Sequence, residues 1–218
     1  MSNPTAGGGF QPSSDITFTG RVAFTGATSI ANPTITGAGG GANGTAASSV
    51  TASESQFGAF HQTVLTLAGL PMAISDTHVG GGSKIYTFPE GNITIIGATA
   101  HVQETTTSVL ASTLKASKTL SVGVGSVQTT TQDSGTLVTT QQDIVNAFAC
   151  TSSATINVAG TAVNGKQLGT TIIRLDGTTT ASPVWLNCGV VTNTDIDADA
   201  TTTWSGTVTI TWVYSGDY

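Results

Sequence analysis

The end of the chain sets the terms for the rest. Between Thr207 and Tyr214 the apolar side chains Val208, Ile210, Trp212 and Tyr214 alternate with Thr207, Thr209 and Thr211. A period of two is the period of a strand, so this stretch is apolar on one face and coated with hydroxyls on the other. Segments of the same kind, rich in Val, Ile, Leu, Phe and Thr, recur at 64–67, 73–75, 84–88, 93–102, 119–127, 136–139, 144–148, 155–158, 170–175 and 184–191. Breaks are expected at Gly69-Leu70-Pro71, Gly80-Gly81-Gly82, Pro89-Glu90-Gly91 and Asn164-Gly165, because Pro and Gly interrupt ladders. About eight to eleven short strands, with no amphipathic pattern longer than about two helical turns, predict an all-β protein: a two-sheet sandwich of the jelly-roll kind.

Charge narrows the function. Only 6 basic and 12 acidic residues occur in 218, a net charge of -6 and 8% charged side chains. Solubility therefore rests on hydroxyls, amides and backbone, since an ordinary domain is about one quarter charged. So few bases argue against a partner made of nucleic acid, whose phosphates call for a basic surface. Disorder is excluded by 38% hydrophobic residues and a mean hydropathy of +0.16, because disordered acidic chains combine low hydrophobicity with high charge. No apolar run approaches the roughly eighteen residues of a membrane span. The stretch Met1 to Gln11 is polar and lacks the basic start and apolar centre of a secretory signal, so folding in a cytoplasm is expected. Cys150 and Cys188 are the two thiols and read as reduced, buried small hydrophobes.

Two domains of unequal character follow, an extended Gly/Thr-rich N-terminal arm over 1–56 and a sandwich over 57–218. The arm is poor in large apolar residues, and Gly7 to Gly9 and Gly37 to Gly41 punctuate it. Between them Phe18-Thr19-Gly20 is repeated as Phe24-Thr25-Gly26. Ile16 with Phe18, and Val22 with Phe24, place apolar side chains on one strand face, followed by Ile30 and Ile35. Each piece is too small to bury that face alone. Two readings stay open: a frayed tail, or an arm that orders as added strands on a neighbouring subunit through Ile16, Phe18, Val22, Phe24, Ile30 and Ile35.

Residues that could do chemistry do not gather. His61, His78 and His101 stand at no ligand spacing from one another or from a Cys, which gives no reason to expect a metal. Asp195, Asp197 and Asp199 alternate, but a calcium loop starting there would want Gly sixth and Glu twelfth, where Ala200 and Gly206 stand. A solvated acidic loop is the expectation, with weak calcium binding as its alternative. Gly80-Gly81-Gly82-Ser83-Lys84 lacks the ending of a phosphate loop and leads into a strand, so a hairpin turn is expected. There is no Gly-x-Ser-x-Gly elbow, and Glu54, Glu90 and Glu104 are not paired in sequence. The reading is of no enzyme and no cofactor.

Three stretches carry a resemblance. They are Thr63-Val64-Leu65-Thr66-Leu67; Lys84-Ile85-Tyr86-Thr87-Phe88-Pro89-Glu90-Gly91 leading to Ile96-Gly97-Ala98-Thr99; and Val184-Trp185-Leu186-Asn187 with 206–212 and Gly216-Asp217. Over roughly residues 60–218 they resemble head-decoration or cement proteins of tailed bacteriophages. Gln142-Asp143-Ile144-Val145 and the acidic loop are similar to that group too, whereas the Phe-Thr-Gly repeats resemble phage fibre segments. The resemblance implies a jelly-roll structural protein, a homo-oligomer and typically a trimer. It would sit on the outer surface of a virion capsid and tie capsomers of the major capsid protein together, with neither membrane nor nucleic acid as partner. The alternative is a tail-fibre or receptor-binding jelly roll.

Overall fold

The period-two runs form eleven strands among the described residues. They are β1 (Thr45–Ala46), β2 (Val50–Phe57), β3 (Phe60–Ile74), β4 (Gly80–Thr87), β5 (Gly91–Thr105), β6 (Thr119–Gly125), β7 (Val145–Thr151), β8 (Val163–Lys166), β9 (Ile173–Gly177), β10 (Pro183–Val190) and β11 (Ala200–Tyr214). The structure is a computed structural model that describes residues 43–75, 80–105, 119–130, 136–151, 163–166, 173–177, 179–190 and 200–216. All of them belong to the unit Ile35–Tyr218. Ile16, Phe18, Val22, Phe24, Ile30 and Ile35, together with His78, the 155–158 segment and the 195–199 loop, lie outside the described residues.

One sheet runs β1-β4-β10-β6-β7 and the other β2-β3-β11-β5-β8, with β9 also on β5. Every pairing among these strands is antiparallel. The sheets form an all-β sandwich, as expected. Their inner faces share one core, with Leu65, Val102, Val208, Ile210 and Trp212 from the second sheet and Ile85, Tyr86, Leu120, Val122 and Leu186 from the first, all fully buried. Each such side chain contributes about 1.5–3 kcal/mol by leaving water, so stability here comes from packing, not from charge. β11 keeps its alternation: Trp204, Val208, Ile210 and Trp212 are fully buried, and Thr203, Thr207, Thr209 and Thr211 face out.

Bulges let the long strands bend without turning their faces over. In β3 the inward residues are His61, Thr63, Leu65 and Leu67, then Leu70, Met72 and Ile74. The parity changes because Ala68 and Gly69 together face Ser205 alone. Gly69 adopts φ +69° there and donates its N–H to Ser205 Oγ at 3.1 Å. β5 does the same at Ile96, skipped between Gly97 and Ile95 in the pairing with β11. Without the extra residue, half of each strand would turn its apolar side chains to solvent.

Four local expectations are corrected. Gly69-Leu70-Pro71 is a bulge within β3, not a break; at Pro71, β2 no longer runs beside β3, so the missing N–H costs no ladder bond. Gly80-Gly81-Gly82 is no hairpin turn but the start of β4, paired with Gly189, Cys188 and Asn187. These glycines admit close neighbours, since a Cβ on Gly81 would lie 2.3 Å from the Ala73 carbonyl and one on Gly82 2.3 Å from Asn187 Oδ1. The stretch 136–139 is not a strand but leads into a short 3-10 turn, Thr139–Gln141. Asn164-Gly165 lies within β8. The expected boundary at residue 56 also cuts through the sandwich, because β1 and β2 are already strands of it. Val50 and Ala52 pack against the core.

Cys150 and Cys188 are buried and free. They stand on β7 and β10, with β6 between them, opposite Leu120 and Val122 of that strand. Two strand spacings of about 4.8 Å exceed the roughly 7 Å that a disulfide spans between Cα atoms.

Candidate interaction surface

On the outer face of the second sheet, four neighbouring strands turn hydroxyls and amides outward. β2 presents Thr51, Ser53 and Ser55; β3 presents Gln62 and Thr66; β11 presents Thr201, Thr203, Ser205, Thr207, Thr209 and Thr211; β5 presents Thr99, His101 and Gln103. Among the described residues, no Asp, Glu, Lys or Arg stands at an outward position of these four strands. Cross-strand hydroxyl pairs stiffen the face: the Thr105 and Thr203 hydroxyls lie 2.9 Å apart, and Thr105 Oγ1 also donates to the Thr203 carbonyl at 3.1 Å. Such pairs contribute roughly 0.2–1 kcal/mol each.

Beside this face the sandwich has an open flank. Among the described residues β2 pairs with β3 alone, and β1 with β4 alone, so both are edge strands. Val50 and Ala52 pack on the core yet are only half-buried. At the far end of β2 the two-residue turn Gly58-Ala59 lifts Phe57 and Phe60, 75% and 56% exposed, into solvent. Gly58 takes φ +61°, which suits a glycine in a tight hairpin. The turn is anchored, because Tyr214 donates its backbone N–H to the Ala59 carbonyl at 2.8 Å.

Under that flank lies a polar cluster in an otherwise apolar core. Tyr86 on β4 donates its hydroxyl to Glu54 Oε1 on β2, and Gly44 donates its N–H to the Tyr86 oxygen at 3.0 Å. Thr63 donates to the same carboxylate oxygen at 3.3 Å and accepts the Trp212 indole N–H at 2.8 Å. Burial, with the carboxylate beside it as the lesser cause, raises the Tyr86 pKa far above its usual value, so Tyr86 remains a donor at every physiological pH. His61 is buried against Trp212, with ring centroids 3.9 Å apart. Read from the sequence, His61 and Glu54 stand apart and Thr63 and Tyr86 are plain strand residues; nothing there brings them and Gln56 together. The signal was present: in β2, Val50, Ala52, Glu54 and Gln56 alternate with Thr51, Ser53 and Ser55, which makes Glu54 an inward carboxylate once the segment is read as a strand.

Open grooves also lie among the described residues. One, of about 440 Å³, is lined by Thr45, Ser48, Leu70, Pro71, Ser83 and Lys84 among others. The second, of about 500 Å³, lies along Ile93, Thr94, Arg174 and Asp176. His101 is exposed on the outer face and His61 is buried under the flank. Among the described residues no three His, Cys, Asp or Glu side chains gather as a metal would require. No helix among them is long and apolar enough to cross a membrane. No family model, curated protein or solved structure matches this chain.

Proposed function

We propose that this chain is a structural virion protein of a tailed bacteriophage, which binds the outer surface of the capsid and cements neighbouring capsomers of the major capsid protein. The observation that carries the reading is the hydroxyl-coated outer face of β2, β3, β11 and β5, free of Asp, Glu, Lys and Arg among the described residues. A face of short side chains and backbone edges, with His101 as the one imidazole on it among the described residues, suits binding to another protein by shape and hydrogen bonds. Its role is one of contact.

The strand order supports the finer reading of the fold. With β8 and β9 taken as one position, β3-β11-β5-β8 faces β4-β10-β6-β7. Each successive strand of this set crosses to the other sheet except β6 to β7, which is the connectivity of two interlocked Greek keys, a jelly roll. The resemblance in sequence adds the trimer and the capsid exterior. Residues before Asn43 would act as an arm, and some forty extended residues reach beyond about 100 Å at roughly 3.3 Å each, enough to pass from one capsomer to the next. Anything that binds the assembled shell but not its free subunits shifts the equilibrium towards the shell.

Imaging the particle that carries this protein tests the reading. Density on the capsid exterior at threefold or quasi-threefold positions is expected; density confined to the tail would overturn it in favour of a receptor-binding protein. Deleting residues 2–42 leaves the described strands in place, and undiminished capsid binding by that variant would remove the arm from the account.

A further inference from the structure

The His61 ring, 2% exposed, lies nearly parallel to the Trp212 indole at 15°. Neither Nδ1 nor Nε2 has a hydrogen-bond partner among the described residues. Gln56 stands directly opposite on β2, its Oε1 buried without a partner, and the next inward residue, Glu54, has Oε2 in the same condition. Glu54 Oε1 receives the Tyr86 and Thr63 hydroxyls, and the Tyr86 oxygen receives the Gly44 N–H. One cluster thus joins the edge strand β2, the strands β3 and β4, and the segment that leads into β1. The fit around Gly44 is close, since a Cβ there would lie 2.2 Å from the Tyr86 hydroxyl oxygen and 2.4 Å from the Thr87 carbonyl.

We propose that this cluster is an acid-sensitive latch, which holds β2 and the Gly44 segment closed on the sandwich while His61 is neutral and lets them open when His61 is protonated. A neutral imidazole can stay buried against Trp212 at modest cost. An imidazolium adds a second N–H and a charge that need water or partners, and in the closed form neither Gln56 Oε1 nor Glu54 Oε2 is hydrogen-bonded to the ring. The groups facing it are few: Glu54 and Gln56 from β2, the hydroxyl of Tyr86 from β4 through the shared carboxylate, and the non-titrating Trp212 from β11. Burial lowers the His61 pKa from its ordinary value of 6.5, and the Glu54 charge opposes this without cancelling it. The closed state is therefore unpenalised above pH 6.5 and loses stability as pH falls below it, because only the opened form takes the proton readily. Opening falls on β2 because an edge strand with one neighbour and half-buried inward residues is the least costly part to lift.

Amide hydrogen exchange on the full chain between pH 7.5 and 5.0, expressed as protection factors, tests the latch. Protection at 51–56 and at Gly44 is expected to fall, by up to about thirtyfold at pH 5, the ceiling set by a group of ordinary pKa in the open form. Protection at 208–212 is expected to hold, and His61→Gln is expected to flatten the fall at β2. An unchanged fall in His61→Gln, or an equal fall across β11, would overturn the proposal. Should that variant not fold, NMR titration of the His61 ring in the unaltered protein decides: a pKa at or above 6.5 overturns it, and a lower one supports it.

Discussion

Trp212 and Thr63 hold each other in the core, the indole N–H of one bonded to the hydroxyl of the other at 2.8 Å across β11 and β3. Since Thr63 also donates to Glu54, one hydroxyl serves both the fully buried indole and a carboxylate oxygen that it shares with Tyr86. Thr63→Val keeps the shape and removes both bonds. A loss of about 1–3 kcal/mol is expected, the cost of leaving buried polar groups unpaired. Denaturant unfolding checks it: the midpoint should fall with the slope unchanged.

Asn187 carries more than Thr63 does. Fully buried on β10, it accepts the Thr129 N–H through Oδ1 at 2.9 Å and donates through Nδ2 to the carbonyls of Val127 at 2.9 Å and Gln141 at 2.8 Å. It ties 126–130 and the Thr139–Gln141 turn to the first sheet. Asn187→Asp is nearly isosteric but cannot donate when ionised, and it would face two carbonyl oxygens. At neutral pH a destabilisation of about 3 kcal/mol or more is expected, larger than that of Thr63→Val because both donated bonds are lost and a buried charge faces the two carbonyl oxygens, while the bond from the Thr129 N–H is kept. Thermal unfolding of the two variants side by side reads the order.

Legibility in the sequence followed the regularity of the strands. β11 could be read directly because Val208, Ile210 and Trp212 keep one parity throughout. β3 could not, since the bulge at Ala68-Gly69 puts Leu67 and Leu70 on the same face three residues apart, which breaks the alternation while preserving the core. The glycines of β4 look like a turn until Asn187 and the Ala73 carbonyl are seen to occupy the space that side chains would take. The flank was hidden for a different reason. β2 has the composition of a linker, and its strand state depends on β3, a contact no local pattern announces. Gln56 came to face His61, and Glu54 to face Thr63, only through that pairing.

Glycine positions in the second sheet separate by geometry. Gly206 has φ +135°, and a Cβ on it would lie 2.2 Å from the His101 carbonyl. Gly97, in the same sheet, has no positive φ, and a Cβ on it would meet nothing within 4 Å. Gly206→Ala is expected to cost several kcal/mol or prevent folding, since both strain and a backbone clash oppose it. Gly97→Ala is expected to be neutral or to stabilise by about 0.4–1 kcal/mol by restricting the unfolded chain. Similar losses at both positions would contradict this account of the ladder between β11 and β5.

Thiol labelling tests the closure of the core independently. Burial is the main cause that pushes the Cys150 thiol up to about 11, and it raises Cys188 further still, with Cys150 and Glu104 adding to the effect. At pH 8 both are thiols, and neither offers the accessible thiolate that disulfide reagents attack. In the native protein, labelling should therefore be slow and should rise with denaturant in step with global unfolding, both cysteines reacting together. Because β6 keeps them on separate strands, an oxidant should leave the native protein without an intrachain disulfide. Fast labelling of Cys150 alone under native conditions would show that β7 lifts from β6 without the rest of the sandwich, and the core would then consist of two layers of unequal stability.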